Sequence, residues 1–111
     1  MDYDTTTLRI RALNDASRCT IADGTIHFSR GISDLPVFEQ ACILNRVCAY
    51  DDFTPDNDPL GEHDFGSFEH NGRTIFWKID YYDLLLNYGS RDPSDPALTR
   101  RVLTIMLAEE Y

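Results

Sequence analysis

The sequence has no long apolar stretch. Its longest purely apolar runs cover a few residues, such as Leu84-Leu85-Leu86, whereas a helix that spans a membrane needs about 20. The opening residues Met1-Asp2-Tyr3-Asp4 are acidic and lack the apolar segment of a secretory signal. These absences predict a cytoplasmic protein that has no membrane as a partner.

Cysteine is scarce. The chain has three, Cys19, Cys42 and Cys48, with no C-x-x-C pair among them. An odd number without such a pair argues against a disulfide framework or a zinc knuckle. Cys42 and Cys48 are six positions apart, about 600° of helical rotation, so they would not face each other. We expect free, partly buried thiols that act as small apolar groups.

Basic residues are also few. The chain carries 10 Lys and Arg against 19 Asp and Glu, a formal net charge of −9. Nearly all of the surplus lies in residues 51–83, where nine acids are opposed only by Arg73 and Lys78. A surface that binds nucleic acid must be cationic, so we expect no direct nucleic-acid partner. An acidic segment attracts basic proteins instead.

The remaining composition is that of a folded domain. Apolar residues make up 42% of the 111 residues and charged residues 26%, which is ordinary for a globule and wrong for a disordered segment. A chain of this length has enough residues for a core of its own. We predict a single domain over residues 1–111.

The first half of the chain predicts two helices and a strand. Residues 5–19 predict a helix capped by a threonine. Its apolar stripe consists of Leu8, Ala12, Ala16 and Cys19. The alternation over residues 25–30 predicts a short strand. A second helix begins at Ser33 or Asp34, with Pro36 in its first turn. It is apolar over so much of its surface that we expect it to be the central buried helix.

The second half contains the clearest local signal, a hairpin. Asn71-Gly72 suits a two-residue turn because both positions need positive φ, and strands over residues 64–70 and 73–81 flank it. Asp95-Pro96 is typical of the start of a helix, which we expect to run to about Leu107. The predicted order is α-β-α-β-β-α. This is an α+β fold, a small antiparallel sheet of about three strands packed by two or three helices.

Residues 51–63 predict a long loop, because they contain two prolines, a glycine and five acids. Loops of this length without regular structure are uncommon and often functional. The carboxylates suit Ca²⁺ or Mg²⁺, but their spacing does not match the EF-hand loop. Asp and Asn side chains that bond their own backbone explain them better. We therefore predict no metal ligand and no cofactor.

His63 is the candidate for chemistry within this loop. It lies between Glu62 and Asp64, and a histidine beside carboxylates can act as a general acid or base. His63 and His70 could also join a carboxylate in a metal site. Adjacent side chains diverge in an extended segment, and no nucleophile elbow or glycine-rich phosphate loop accompanies them. We predict no catalytic residue and keep a small metal-dependent enzyme at His63, with its neighbouring carboxylates, as the alternative.

The acids of this region form a candidate partner-binding surface, called the acidic surface below. Aromatic residues anchor interfaces, and among those nearby Tyr82 is the best exposed candidate. The predicted partner-binding residues are Asp51, Asp52, Asp56, Asp58, Glu62, Asp64, Glu69 and Tyr82.

Four groups of residues form long motifs: 10–15, 51–59 continuing into 61–66, 75–83 and 101–111. These motifs resemble those of the domain-of-unknown-function family numbered 3768. The resemblance covers nearly the whole chain and is weakest over residues 15–50. It implies a proteobacterial, mainly alphaproteobacterial, protein that is often carried on plasmids and other mobile elements, near antirestriction-type genes. It implies no activity and no catalytic residue.

Charge and resemblance together predict an interaction protein of mobile elements. We expect an acidic protein-binding module with a DNA-like surface at residues 51–83. It would inhibit a host nucleic-acid-binding defence complex, as an anti-CRISPR or antirestriction protein. The partner would be a basic protein or nucleoprotein complex of host defence, and the oligomeric state stays open. A housekeeping module for plasmid maintenance is a third alternative.

Overall fold

The computed structural model describes residues 3–20 and 26–111. Its elements are, in chain order, α1 (Thr5–Ser17), β1 (Ile26–Phe28), α2 (Arg30–Ser33), α3 (Val37–Ala49), β2 (Phe65–His70), β3 (Arg73–Tyr82), β4 (Arg100–Leu107) and a closing 3-10 turn (Ala108–Glu110). The strands form one sheet in the order β1-β4-β3-β2. The β1–β4 pair is parallel and the other pairs are antiparallel. The predicted α+β class is confirmed, but the sheet has four strands and is mixed, not three-stranded and antiparallel.

Residues 100–107 form the strand β4, so the predicted helix over residues 95–107 is wrong. Alternate side chains of β4 are buried, which is the period of a strand: Arg101, Leu103, Ile105 and Leu107. The strand lies between β1 and β3 and pairs with both. Asp95 begins a tight turn instead of a helix, and its carboxylate accepts from the backbone N–H of Ala97 at 2.9 Å. The predicted order therefore fails at its last element.

The predicted hairpin is confirmed. β2 and β3 pair in register up to His70↔Arg73. The turn residues Asn71 and Gly72 have φ values of 50° and 78°, as a two-residue turn requires. The predicted alternation of β3 also holds, because Ile75, Trp77 and Ile79 are buried on one side of the sheet.

The core lies between α3 and the sheet. Ile43 and Val47 of α3 are buried in the same cluster as Trp77. The first turn of the helix lies outside this core, because Val37 and Phe38 are exposed. The expectation of a helix buried over most of its surface is therefore wrong. Only the residues that face the sheet are covered.

The segment before α3 differs from its prediction. The predicted strand begins at residue 25, which lies outside the described residues, and β1 covers Ile26–Phe28. Ser29 then caps the short helix α2. Pro36 directly precedes α3 instead of lying in its first turn, as its missing N–H allows. No helix in the described ranges is long and apolar enough to cross a membrane.

The buried side of α1 combines Ile10 with polar residues, which the apolar stripe did not predict. Asp4, and not a threonine, caps the helix. Leu8 of the predicted stripe is exposed, whereas Ile10, Asn14 and Arg18 are buried. The polar residues of this face bind the loop over residues 51–63 and the end of α3, as described below.

Cys19 and Cys48 form a disulfide, and Cys42 is free. The expectation of free thiols throughout is therefore wrong. The bond joins the residues at the ends of α1 and α3, which are 29 positions apart in sequence. Sequence spacing carries no information about such a long-range approach.

Candidate functional site

The loop between α3 and β2 closes on itself through side-chain hydrogen bonds. Asn57 donates from Nδ2 to the backbone carbonyl of Asp52 at 2.9 Å, and its Oδ1 accepts from the backbone N–H of Thr54 at 2.9 Å. The backbone N–H of Asp58 donates to the Thr54 carbonyl at 2.8 Å. The predicted backbone-bonding role of Asn and Asp is thus realised here, and the loop has a defined shape.

The polar side of α1 holds the end of this loop. Arg11 donates from Nε to the carbonyl of Gly61 at 2.8 Å, and Asn14 donates from Nδ2 to the carbonyl of Glu62 at 2.9 Å. Asp15 Oδ1 lies 2.9 Å from His63 Nδ1. Three successive loop residues are therefore bound by side chains of one helix.

His63 lies between two carboxylates. Besides its contact with Asp15, its backbone N–H lies 3.3 Å from each carboxylate oxygen of Asp58, and its Nε2 lies 3.9 Å from Asp58 Oδ2. Its ring is stacked on Phe53 with 3.7 Å between centroids and an interplanar angle of 4°. The histidine is thus fixed in position and orientation, with φ at 58°.

Arg18 links the end of α1 to the end of α3. It donates from one terminal nitrogen to the carbonyls of Val47 and Tyr50, at 2.7 and 2.9 Å, and from the other to Asp15 at 2.8 Å. Its guanidinium lies 4.9 Å from the Trp77 ring centroid, which adds a cation–π contact. Arg18, Asp15 and His63 line one shallow cavity of about 490 Å³ together with the Cys19–Cys48 disulfide.

A second polar network lies between the loop and the sheet. Tyr81 donates from its hydroxyl to Glu62 Oε1 at 2.7 Å and accepts from Asn14 Nδ2 at 2.8 Å. Arg101 donates from Nε to Asn14 Oδ1 at 2.6 Å. Burial raises the pKa of the Tyr81 hydroxyl well above its ordinary value, so Tyr81 remains a donor at neutral pH. Glu62 is therefore held inward.

The predicted residues of the acidic surface fall into two groups. Four acids are exposed: Asp51, Asp52, Asp56 and Glu69. The other four residues are covered to different degrees, since Asp58 is 5% exposed and Glu62, Asp64 and Tyr82 are half-buried. Burial, followed by the nearby Glu62 carboxylate, raises the pKa of Asp64 above its ordinary value. The exposed negative charge is thus smaller than the acids of the sequence suggest.

The exposed acids form no close cation pair. In the part of the chain that the structure describes, no Lys or Arg nitrogen lies within 4 Å of their carboxylate oxygens. Arg46 lines one cavity with Asp51 and Asp52, but its hydrogen bond goes to the backbone carbonyl of Glu69. Its guanidinium lies over the Phe68 ring.

The two histidines considered for a metal site are not brought together. His70 lies 3.5 Å from Glu39 Oε1, whereas His63 contacts Asp15 and Asp58. Over residues 3–20 and 26–111, no three His, Cys, Asp or Glu side chains are arranged to hold a metal ion. His63 is placed by hydrogen bonds to Asp15 and Asp58.

Sequence reasoning missed the residues that organise the loop. They are Arg11, Asn14, Asp15, Arg18, Tyr81 and Arg101. All except Arg18 lie in motifs of the resemblance, and the motifs of residues 10–15, 61–66 and 75–83 meet in the folded chain. Their position within these motifs is the sequence signal that could have found most of them.

The fold and these contacts define a small α+β domain in which one helix holds an acidic loop beside a mixed sheet. The chain belongs to the family described as protein of unknown function DUF3768, which it matches over residues 28–110. The matched range includes the acidic loop, the hairpin and β4, and leaves α1 outside. No curated protein and no solved structure matches the chain.

Proposed function

We propose that this chain is a protein-binding module whose acidic surface docks on a basic groove of another protein. The observation that carries the proposal is the state of the exposed carboxylates. Asp51, Asp52, Asp56 and Glu69 are solvent-accessible, and no described Lys or Arg nitrogen lies within 4 Å of their carboxylate oxygens. Unpaired carboxylates on one segment keep their attraction for a cationic surface and accelerate encounter with it.

The shape of the loop supports the same role. Hydrogen bonds from Asn57 close it, and α1 binds its last residues through Arg11 and Asn14. A loop that is ordered before binding loses less conformational entropy when it docks. The acidic loop therefore suits recognition of a partner better than a solubilising role alone.

The partner we propose is a basic protein or nucleoprotein complex of host defence, in the cytoplasm of a bacterium. Residues 51–83 carry nine acids against Arg73 and Lys78, and such a segment competes with DNA phosphates for a cationic groove. The mobile-element setting that the resemblance implies favours an anti-CRISPR or antirestriction role. The aromatic anchor we propose is Tyr82, which is half-buried at the end of β3.

The experiment is a DNA-cleavage assay with purified restriction and CRISPR nucleases and increasing amounts of the chain. The test variant is Asp51→Lys with Asp56→Lys. Asp58 is unsuitable for reversal, because it is buried and accepts from the His63 backbone. The matched control is Asp34→Lys with Glu109→Lys, two acids outside the surface whose side chains are each 73% exposed.

We expect the wild-type chain to inhibit at least one nuclease, and added salt to weaken the inhibition. The test variant should require about tenfold more protein for the same inhibition, whereas the control should match the wild type. Equal inhibition by the test variant would remove the acidic surface from the mechanism. Absence of inhibition across the panel would contradict the defence-inhibitor role.

The second candidate is the small enzyme centred on His63. The observation that favours it is the placement of one half-buried imidazole between Asp15 and Asp58, beside a cavity. Its metal-dependent form is tested by calorimetry, in which Mn²⁺ or Zn²⁺ is titrated into the protein. Binding that disappears in His63→Ala but persists in His70→Ala would support this candidate, and unchanged binding in both would contradict it.

A further inference from the structure

The turn that follows β3 presents large apolar side chains to solvent. Leu84, Leu85, Leu86 and Tyr88 are all exposed, Leu85 by 78% and Tyr88 by 77%. Clustered exposed apolar side chains mark interaction sites, in contrast to single ones. This segment is called the leucine turn below.

The leucine turn is held in place by hydrogen bonds. The Asp83 backbone N–H donates to the Tyr88 carbonyl at 2.8 Å, and the Asn87 backbone N–H donates to Asp83 Oδ1 at 3.0 Å. Leu86 has φ at 61°, a left-handed conformation that non-glycine residues rarely adopt. The chain therefore presents these side chains in a defined and locally strained conformation.

Two cavities adjoin the leucine turn and share Leu84. One of about 510 Å³ has a mixed lining of polar residues and apolar ones, which include Leu13, Ala16 and Pro96. The other, of about 330 Å³, is lined in part by Leu98. The larger cavity lies between α1 and the segment 84–101, and the smaller one lies within the segment 83–98. The two adjoining cavities are called the groove below. The side of α1 that lines this groove is not the side that holds the acidic loop through Arg11 and Asp15.

Arginines flank this groove without charged partners. Arg100 lines the larger cavity and Arg91 the smaller one. Both are exposed, and neither forms an ion pair with any residue that the structure describes. Among the described residues that line the two cavities, Asp83 is the one acid, against Arg91, Arg100 and Arg101. The lining of the groove thus carries a positive surplus in a chain of net charge −9.

We propose that this groove is a second docking site, which takes an acidic segment of a partner protein that carries apolar anchors. The anchors would cover the leucine turn and enter the two cavities, and carboxylates would pair with Arg91 and Arg100. An apolar centre with arginines at its rim is complementary to such a segment in both hydrophobicity and charge. The chain would then bind one partner on each side of α1.

The test is selection of a random peptide library displayed on phage against the immobilised chain. Selected peptides are then synthesised, and their binding is measured by fluorescence anisotropy. The test variants are Leu85→Ser and Arg91→Glu. Their matched controls are Phe38→Ser, another exposed apolar residue, and Arg30→Glu, an arginine whose side chain is 93% exposed. Circular dichroism of each variant verifies the fold.

We expect the selected peptides to combine leucine-like residues with Asp and Glu. Leu85→Ser and Arg91→Glu should each weaken binding about tenfold, with the effect of Arg91→Glu reduced at high salt. The two controls should bind as the wild type does. Selection of no peptide, selection of basic peptides, or equal binding by Leu85→Ser would overturn the proposal. A concentration-dependent dimer that Leu85→Ser abolishes would also overturn it, because a second copy would then occupy the groove.

Discussion

Asp15 and His63 are 48 positions apart in sequence, yet Oδ1 of the aspartate lies 2.9 Å from Nδ1 of the histidine. The same carboxylate oxygen accepts from Arg18 at 2.8 Å. Asp15 therefore connects the acidic loop, α1 and, through Arg18, the end of α3. Its contacts explain why the loop is held in one arrangement although it has no regular secondary structure.

Replacement of Asp15 by Ala should loosen this junction. The change removes the carboxylate oxygen that both the Arg18 guanidinium and the Nδ1 atom of His63 contact. Because the Asp15 side chain is 41% exposed, solvent screens part of the loss, and we expect a destabilisation of roughly 1 kcal/mol. Urea unfolding measures it. Asp34→Ala, which removes an exposed carboxylate whose pairing distance to Arg30 is 3.9 Å, should change stability by less than about 0.5 kcal/mol.

Local features of this fold could be predicted from the sequence, and long-range ones could not. The turn at Asn71-Gly72 was predicted because its φ requirement is met by the two residues themselves. β4 was predicted as a helix because Asp95-Pro96 is typical of a helix start. Its strand conformation depends on pairing with β1 and β3, and no local pattern reports those partners.

The candidate site shows the same division. The composition of the loop identified His63 and its surrounding acids, but it could not show that Asp58 is buried beneath the histidine. A hydropathy pattern could not identify Asn14 and Asp15, because it reports apolar residues and both of these are polar. The surplus of acids in residues 51–83 was a correct count, while the exposed share of it depends on the fold.

Loss of the Cys19–Cys48 disulfide should lower stability substantially. The bond closes a segment with a sequence separation of 29, and a loop of that length corresponds to about 3–4 kcal/mol of unfolded-state entropy. Cys19→Ala with Cys48→Ala should therefore unfold at clearly lower urea concentration than the wild type. Cys42→Ala, which leaves the bond intact, is the control, and its free energy of unfolding should fall much less.

Thiol counting in guanidinium provides an independent check of the same bond. The oxidised chain should react at Cys42 alone, and the reduced chain at all three cysteines. Three reactive thiols before reduction would contradict the disulfide. Since disulfides are rare in the bacterial cytosol, the same count on freshly lysed cells also tests the predicted cytoplasmic location.

Gly66→Ala should disturb the core around the sole tryptophan. A Cβ at this position would lie 2.6 Å from Trp77 Cε2, and Trp77 is fully buried, so the ring has little room to move. We expect a loss of about 1–3 kcal/mol and a shift of the Trp77 fluorescence maximum. Gly89→Ala is the control, because its Cβ would lie no closer than 3.8 Å to a neighbouring atom. Equal losses of stability in the two variants would contradict the close packing of Gly66 against Trp77.

Asp64 and Glu110 should give stability opposite dependences on pH. Burial and the Glu62 carboxylate raise the pKa of Asp64, so the folded state binds its proton more tightly than the unfolded state does. Its contribution to stability is therefore greatest below the ordinary pKa of 3.8 and is lost as pH rises through the folded value. The free energy of unfolding of Asp64→Asn should rise relative to that of the wild type as pH rises through that window, because the amide carries no charge to desolvate.

Glu110 behaves in the opposite sense. The Ser29 hydroxyl, and then the backbone N–H groups of Leu107 and Gly31, hydrogen-bond its carboxylate and lower its pKa. The stabilisation is present above the ordinary value of 4.5 and is lost as pH falls through the folded pKa. Glu110→Gln should therefore be less stable than the wild type at neutral pH, and the difference should shrink in acid. Urea titrations of both variants across this range decide the matter, since parallel pH profiles would contradict both assignments.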